Sequence, residues 1–92
     1  MNQANAIVAI VNRLGLHARP AMTFVEKAMG FDCDVRVRRV DQDEQVDGKS
    51  IMQMMMLAAT QGTKIEITAE GADAAQAVAA LAKLVESKFD EE

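Results

Sequence analysis

Tryptophan and tyrosine are absent from this 92-residue chain, and proline, cysteine and histidine occur once each, as Pro20, Cys33 and His17. A single cysteine excludes an internal disulfide and fits a reducing compartment. A single histidine leaves no Cys/His pair at zinc spacing and no second partner for a conventional triad, so no metal site is expected. The three aromatics, Phe24, Phe31 and Phe89, make no base-stacking platform, and the net charge of -4 lacks the basic footprint of a nucleic-acid binder. No apolar run approaches the ~18 to 20 residues of a membrane span. The opening Met1-Asn2-Gln3-Ala4-Asn5 has neither the basic patch nor the apolar stretch of a secretion signal. A single cytoplasmic domain over 1–92 is the expectation, and any chemistry must fall to His17.

What is present is a regular alternation of short strands and amphipathic helices. Ile7 to Val11 reads as an apolar strand closed by the turn Asn12-Arg13-Leu14-Gly15. A helix follows near Ala18, with Pro20 in its first turn, where a missing N–H is harmless. Ala21, Phe24, Val25 and Ala28 give it an inward face, and Gly30 a stop. Cys33 to Val40 alternates with Cys33, Val35 and Val37 on one side, and a polar turn at 41–44 leads to a return strand at Gln45-Val46-Asp47. Ser50 with Gln53 has the form of a capping box opening a second helix with the stripe Ile51, Met54, Met55 and Ala58, broken at Gln61-Gly62. Thr63 to Ala69 alternates again, and Asp73 is placed to cap a last helix with the core face Ala74, Ala77, Val78, Leu81, Leu84 and Val85. The acidic tail Asp90-Glu91-Glu92 is expected to fray. The order βαββαβα implies an α+β fold, with three helices on one face of a mostly antiparallel four-stranded sheet.

Gly15-Leu16-His17-Ala18-Arg19-Pro20 lies where strand passes into helix. Glycine permits a tight bend, a helix start offers unpaired N–H groups and a positive dipole end, and Arg19 supplies a guanidinium fork for phosphoryl oxygens. Imidazole can be a neutral nucleophile at pH 7. A histidine just before a helix can equally be a capping or surface residue, and pattern alone leaves the two readings open.

Gly-Leu-His-Ala-Arg-Pro-Ala at 15–21, with Gly48-Lys49-Ser50-Ile51-Met52, Gln61-Gly62-Thr63 and Ala69-Glu70-Gly71 in order, resembles the HPr family, the histidine-containing phosphocarriers of the bacterial phosphotransferase system. The resemblance implies an open-faced β-sandwich and no cofactor. It also implies a stoichiometric carrier, not an enzyme, that serves sugar transport, nitrogen signalling or regulation. His17 matches the histidine phosphorylated on Nδ1 by phosphorylated enzyme I, which draws on phosphoenolpyruvate. Arg19 matches the arginine that steadies the phosphoryl group, which passes on to an EIIA-type domain. A monomer is the family's habit.

Ser50 matches a serine that, in some bacteria, a dedicated kinase/phosphorylase modifies to switch partners, a transcriptional regulator among them; as sequence it is also a helix cap. One helix face can bury only about half of the run 51–56. Met54 and Leu57 are expected in the core, and Ile51, Met52 and Met55 in an exposed docking patch with Ala18 and Pro20 of the first helix. Two departures from the family stand out. The segment Val40 to Gln45 is about two residues longer and more acidic, and Glu26 and Met29 stand where many members are more basic. Two other readings fit the chain: a regulatory binding protein controlled at Ser50, and a small-ligand-binding α+β domain.

Overall fold

The computed structural model describes residues 2–90. Along the chain it places β1 (Gln3–Ala9), α1 (Ala18–Met29), β2 (Cys33–Arg39), β3 (Val46–Asp47), α2 (Ile51–Met56), β4 (Lys64–Gly71) and α3 (Ala74–Glu86). The strands form one sheet in the order β1-β4-β2-β3 with every pairing antiparallel. The expected order, sheet and open-faced α+β architecture are all present.

Register makes the sheet two-faced. Ala6, Ile67, Val37 and Val46 lie abreast across all four strands and face the helices. Val8 and Ile65, then Ala69 and Val35, continue that layer. Against it α1 sets Ala21, Phe24, Val25 and Ala28, and α3 sets Ala74, Ala77, Val78, Leu81, Leu84 and Val85, all buried. The opposite face stays open and is polar apart from the exposed Ile7. There Arg38 Nε donates to Glu66 Oε1 at 2.8 Å from the adjoining strand, the opposite-charge cross-strand pairing a wet sheet face favours.

The structure moves several expected boundaries. β1 begins at Gln3 and not Ile7, because Gln3 to Ala6 pair with Ile67 to Glu70 although they lack β-branched side chains. Its far end passes from strand pairing to a loop: Ile10 N–H donates to Thr63 O, and Gly62 N–H to Ile10 O. α1 stops at Gly30, as expected, but with φ -77°, so the stop does not use glycine's left-handed freedom. Asp73 stands at the N-cap of α3 without capping it. Its Oδ2 accepts from the N–H of Asp32 at 2.8 Å and pins the start of β2. Burial, then the hydrogen bond and charge of Asp73, push the neighbouring Cys33 thiol up from its ordinary value.

The capping box is half formed. Ser50 Oγ accepts from Gln53 N–H at 3.2 Å, but Gln53 Oε1 takes the N–H of Asp47 and not that of Ser50. Near the C-terminus, Asp90 is not frayed: its carboxylate accepts from Ser87 Oγ, and Phe89 is buried in a left-handed turn. Glu91 and Glu92 lie outside the described residues.

α2 is shorter than the apolar stripe suggests. It ends at Met56, and Ala58, which the stripe places inward, is exposed with φ 52°. That is the left-handed conformation that usually closes a helix on glycine, and it disfavours alanine. Ala58→Gly should therefore raise stability by about 0.5–1 kcal/mol in urea unfolding.

Candidate functional site

The segment joining β1 to α1 is held from three directions. Asn12 is buried, and its Nδ2 donates to Gly15 O at 2.7 Å while Gly15 N–H returns to Asn12 O at 3.2 Å. The N–H of Leu16 donates to Ala59 O at 2.8 Å, tying the loop to the chain beyond α2, and the Leu16 side chain is buried. The N–H of His17 then turns back to Gly15 O at 3.0 Å. Gly15 has φ +72°, and a Cβ there would stand 2.6 Å from Ala59 O and 2.9 Å from Thr60 Cα. Glycine is required twice over, for the left-handed bend and for the closeness of the neighbouring chain.

His17 occupies the N-cap position of α1, and its side chain makes no capping hydrogen bond. The capping alternative left open by the sequence is therefore excluded by geometry. The residue is half-buried, with Nε2 turned into the protein where less than 1 Å² of that atom is accessible. His17 O accepts the first helical hydrogen bond, from Ala21 N–H at 3.0 Å. Ala18 and Arg19 bring N–H groups that have no carbonyl one turn earlier to bond, and no acidic residue lies in the first turn. The positive end of a twelve-residue helix thus faces the imidazole.

Arg19 is exposed, and its guanidinium enters no ion pair among the described residues. Its backbone is steadied by Thr23 Oγ1, which donates to Arg19 O at 3.0 Å. The side chain can swing toward an oxyanion beside His17 without breaking an existing contact. Among the described residues, no cluster of acidic, histidine or cysteine side chains could hold a metal ion.

Ser50 lies at the opposite end of α2 from the Ala59 contact, half-buried, with its hydroxyl oxygen engaged by Gln53 N–H. The glycine before it is packed tightly: a Cβ on Gly48 would meet Val35 Cγ1 at 2.5 Å, and Gly48 N–H donates to Val35 O. Lys49 Nζ donates to Phe31 O at 2.9 Å, so this motif ties α2 to the turn between α1 and β2.

Of the expected docking residues, Ala18, Ile51, Met52 and Met55 are exposed, Met52 at 77% and Met55 at 44%, while Met54 and Leu57 are in the core. Pro20 is a correction: it is fully buried, because the inward face of α1 passes through its ring, and it presents no surface to a partner. Met22 on α1 and Met56 on α2 are exposed and enlarge the apolar surface. Asn12 and Ala59 organise the site but are absent from its motif. A signal for Asn12 existed in its place at a turn, whereas Ala59 carries none, since its contribution is a carbonyl.

Comparison with known proteins agrees with this geometry. Residues 4–87 match the family model described as PTS HPr component phosphorylation site. Phosphocarrier protein HPr of Pseudomonas aeruginosa is 48% identical over 84 residues, covering 91% of this chain and 92% of that protein. Phosphocarrier protein NPr of Escherichia coli is 40% identical over 85 residues, covering 92% and 93%. The crystal structure of HPr from Thermoanaerobacter tengcongensis superposes with a TM-score of 0.89 at 42% identity, covering 97% of this chain and 98% of that one.

Replacement of Gly15 should disturb the site before it unfolds the protein. Gly15→Ala is expected to lose more than the ~1–2 kcal/mol of a left-handed alanine, because Ala59 and Thr60 must also move. Urea unfolding measures that loss, and the amide shifts of Leu16 and His17 should change more than those of α3.

Proposed function

The chain belongs to the HPr family of phosphotransferase-system phosphocarriers, and from that premise we propose that it accepts a phosphoryl group on Nδ1 of His17 from phosphorylated enzyme I and passes it to an EIIA-type domain. The observation that carries the reading is the setting of His17 at the start of α1. Its Nε2 is inaccessible, its ring makes no capping hydrogen bond, and the helix beside it offers backbone donors with no acidic residue in its own first turn.

In the forward step the Nδ1 lone pair attacks phosphorus as the bond from phosphorus to the donor's nitrogen breaks. An imidazole that carries its proton on the inward Nε2 presents a lone pair at Nδ1 and needs no base to remove a proton before attack. Phosphoryl oxygens then fall within reach of the Ala18 and Arg19 N–H groups and of the Arg19 guanidinium, which together offset the added negative charge. In the return step the acceptor's nucleophile displaces Nδ1. The carrier ends as it began, and phosphoenolpyruvate is the ultimate source of the group. Such a relay operates in the cytoplasm, where the donor and acceptor domains meet it.

Ala18, Ile51, Met52 and Met55 are the surface on which donor and acceptor dock. Methionine suits a face that must fit two partners in turn, because its side chain adapts its shape at small energetic cost. Ser50 serves as a second, regulatory phosphorylation site for a serine kinase. Its hydroxyl is only half-buried, and a phosphate there would retain the acceptor role toward Gln53 N–H.

Incubation with enzyme I and phosphoenolpyruvate should label the chain once, with an acid-labile bond, and His17→Ala should abolish the label. Arg19→Ala should slow transfer by about 10-fold or more with unchanged melting behaviour, because the exposed guanidinium supports no fold contact. Acid-stable labelling that survives His17→Ala but not Ser50→Ala would instead assign the function to Ser50 alone.

A further inference from the structure

We propose that Arg39, on β2 and not on either helix of the site, is a positioning residue for the phosphoryl-accepting centre, acting through the C-terminal turn of α2. The proposal rests on the phosphocarrier reading for its consequence, but its structural link stands on the contacts alone.

Alternation along β2 places Arg39 on the inward face after Val35 and Val37, opposite Ile65 of β4. A charged residue at that register is unusual, and its side chain is only 23% exposed. The guanidinium is divided between two tasks. Nε and Nη2 both bond the Asp41 carboxylate at 3.1 Å, which fixes the plane of the fork. Nη1 donates to Leu57 O and Ala58 O, each at 3.3 Å. Those carbonyls lie at the C-terminal end of α2, where no later helical N–H remains to take them and a cation is favoured.

The turn so held is the strained one. Ala58 keeps φ 52°, which alanine adopts only when its surroundings impose it. The next carbonyl, that of Ala59, accepts the Leu16 N–H, one residue before His17. Arg39 therefore grips the turn on one side, and the His17 loop hangs from the other. Without the grip, Ala58 can relax toward ordinary backbone angles, which swings Ala59 O away from Leu16 and releases the loop. Lysine should replace arginine poorly, since one ammonium cannot hold a carboxylate in two-point fashion and also bond two carbonyls.

The test compares Arg39→Ala, Arg39→Lys and the double variant Arg39→Ala/Ala58→Gly with the wild-type chain. It measures Leu16 amide exchange by NMR beside that of Ile67 and Leu81, and the rate of transfer from phosphorylated enzyme I. Arg39→Ala should speed Leu16 exchange at least about ten-fold more than that of the two core amides, and transfer should slow. Arg39→Lys should fall between, and supplies the comparison if the alanine variant does not fold. Ala58→Gly in the double variant should restore both readouts to within about two-fold of wild type, since glycine holds the turn unaided. Leu16 exchange that changes no more than the core amides, or a transfer defect that Ala58→Gly leaves untouched, overturns the proposal. If the wild-type chain accepts no phosphoryl group, the phosphocarrier reading fails, and Leu16 exchange still decides the link to Arg39.

Discussion

The hydrogen bond from the Leu16 N–H to Ala59 O at 2.8 Å joins the two segments on which the site depends. On one side of it lies the bend at Gly15, which admits the neighbouring chain only because it lacks a Cβ. On the other lies the turn that closes α2. With that bond in place the chain enters α1 at a fixed angle, and His17 falls at the N-cap with Nε2 inward. The imidazole is thus oriented by backbone geometry and by burial. Such an arrangement suits a carrier. The nucleophile must be exposed enough to meet two different proteins, yet held firmly enough that each finds the same nitrogen.

The exposed apolar side chains follow from the same economy of size. A six-residue α2 can bury little more than Met54 and the adjoining Leu57 against the sheet, so Ile51, Met52, Met55 and Met56 remain outside. The opposite sheet face carries Arg38, Glu66 and Thr68, and its charges are partly paired to each other. The two sides of the protein are therefore chemically distinct, with apolar surface concentrated on the helices that flank His17.

Much of this was legible in the sequence, and the limits have physical causes. The inward faces of α1 and α3 were readable residue by residue, because helices of twelve and thirteen residues show a full 3.6-residue period. The Gly15-to-Pro20 motif located the passage from strand into α1, with His17 at its N-cap, since glycine and proline there act by their type. β1 was placed too late because Gln3 to Ala6 owe their extended form to pairing with β4, a tertiary cause with no local signature. α2 was drawn too long because apolar residues continue past the point where Ala58 reverses the backbone. Pro20 was placed on the surface as part of the motif, although its own position in the helical period points inward. Asp73 matched the pattern of a helix cap yet spends its carboxylate on Asp32, a residue 41 positions away.

The proposed relay turns on the choice of nitrogen. Proton–nitrogen correlation spectra of the imidazole, recorded before and after phosphorylation by enzyme I and phosphoenolpyruvate, report which ring nitrogen carries phosphorus. A phosphoryl group on Nδ1 of His17, with Nε2 retaining its proton, is the result that the inward-turned ring requires. Phosphorus on Nε2, or an unmodified ring in a chain that has nonetheless been labelled, would contradict it.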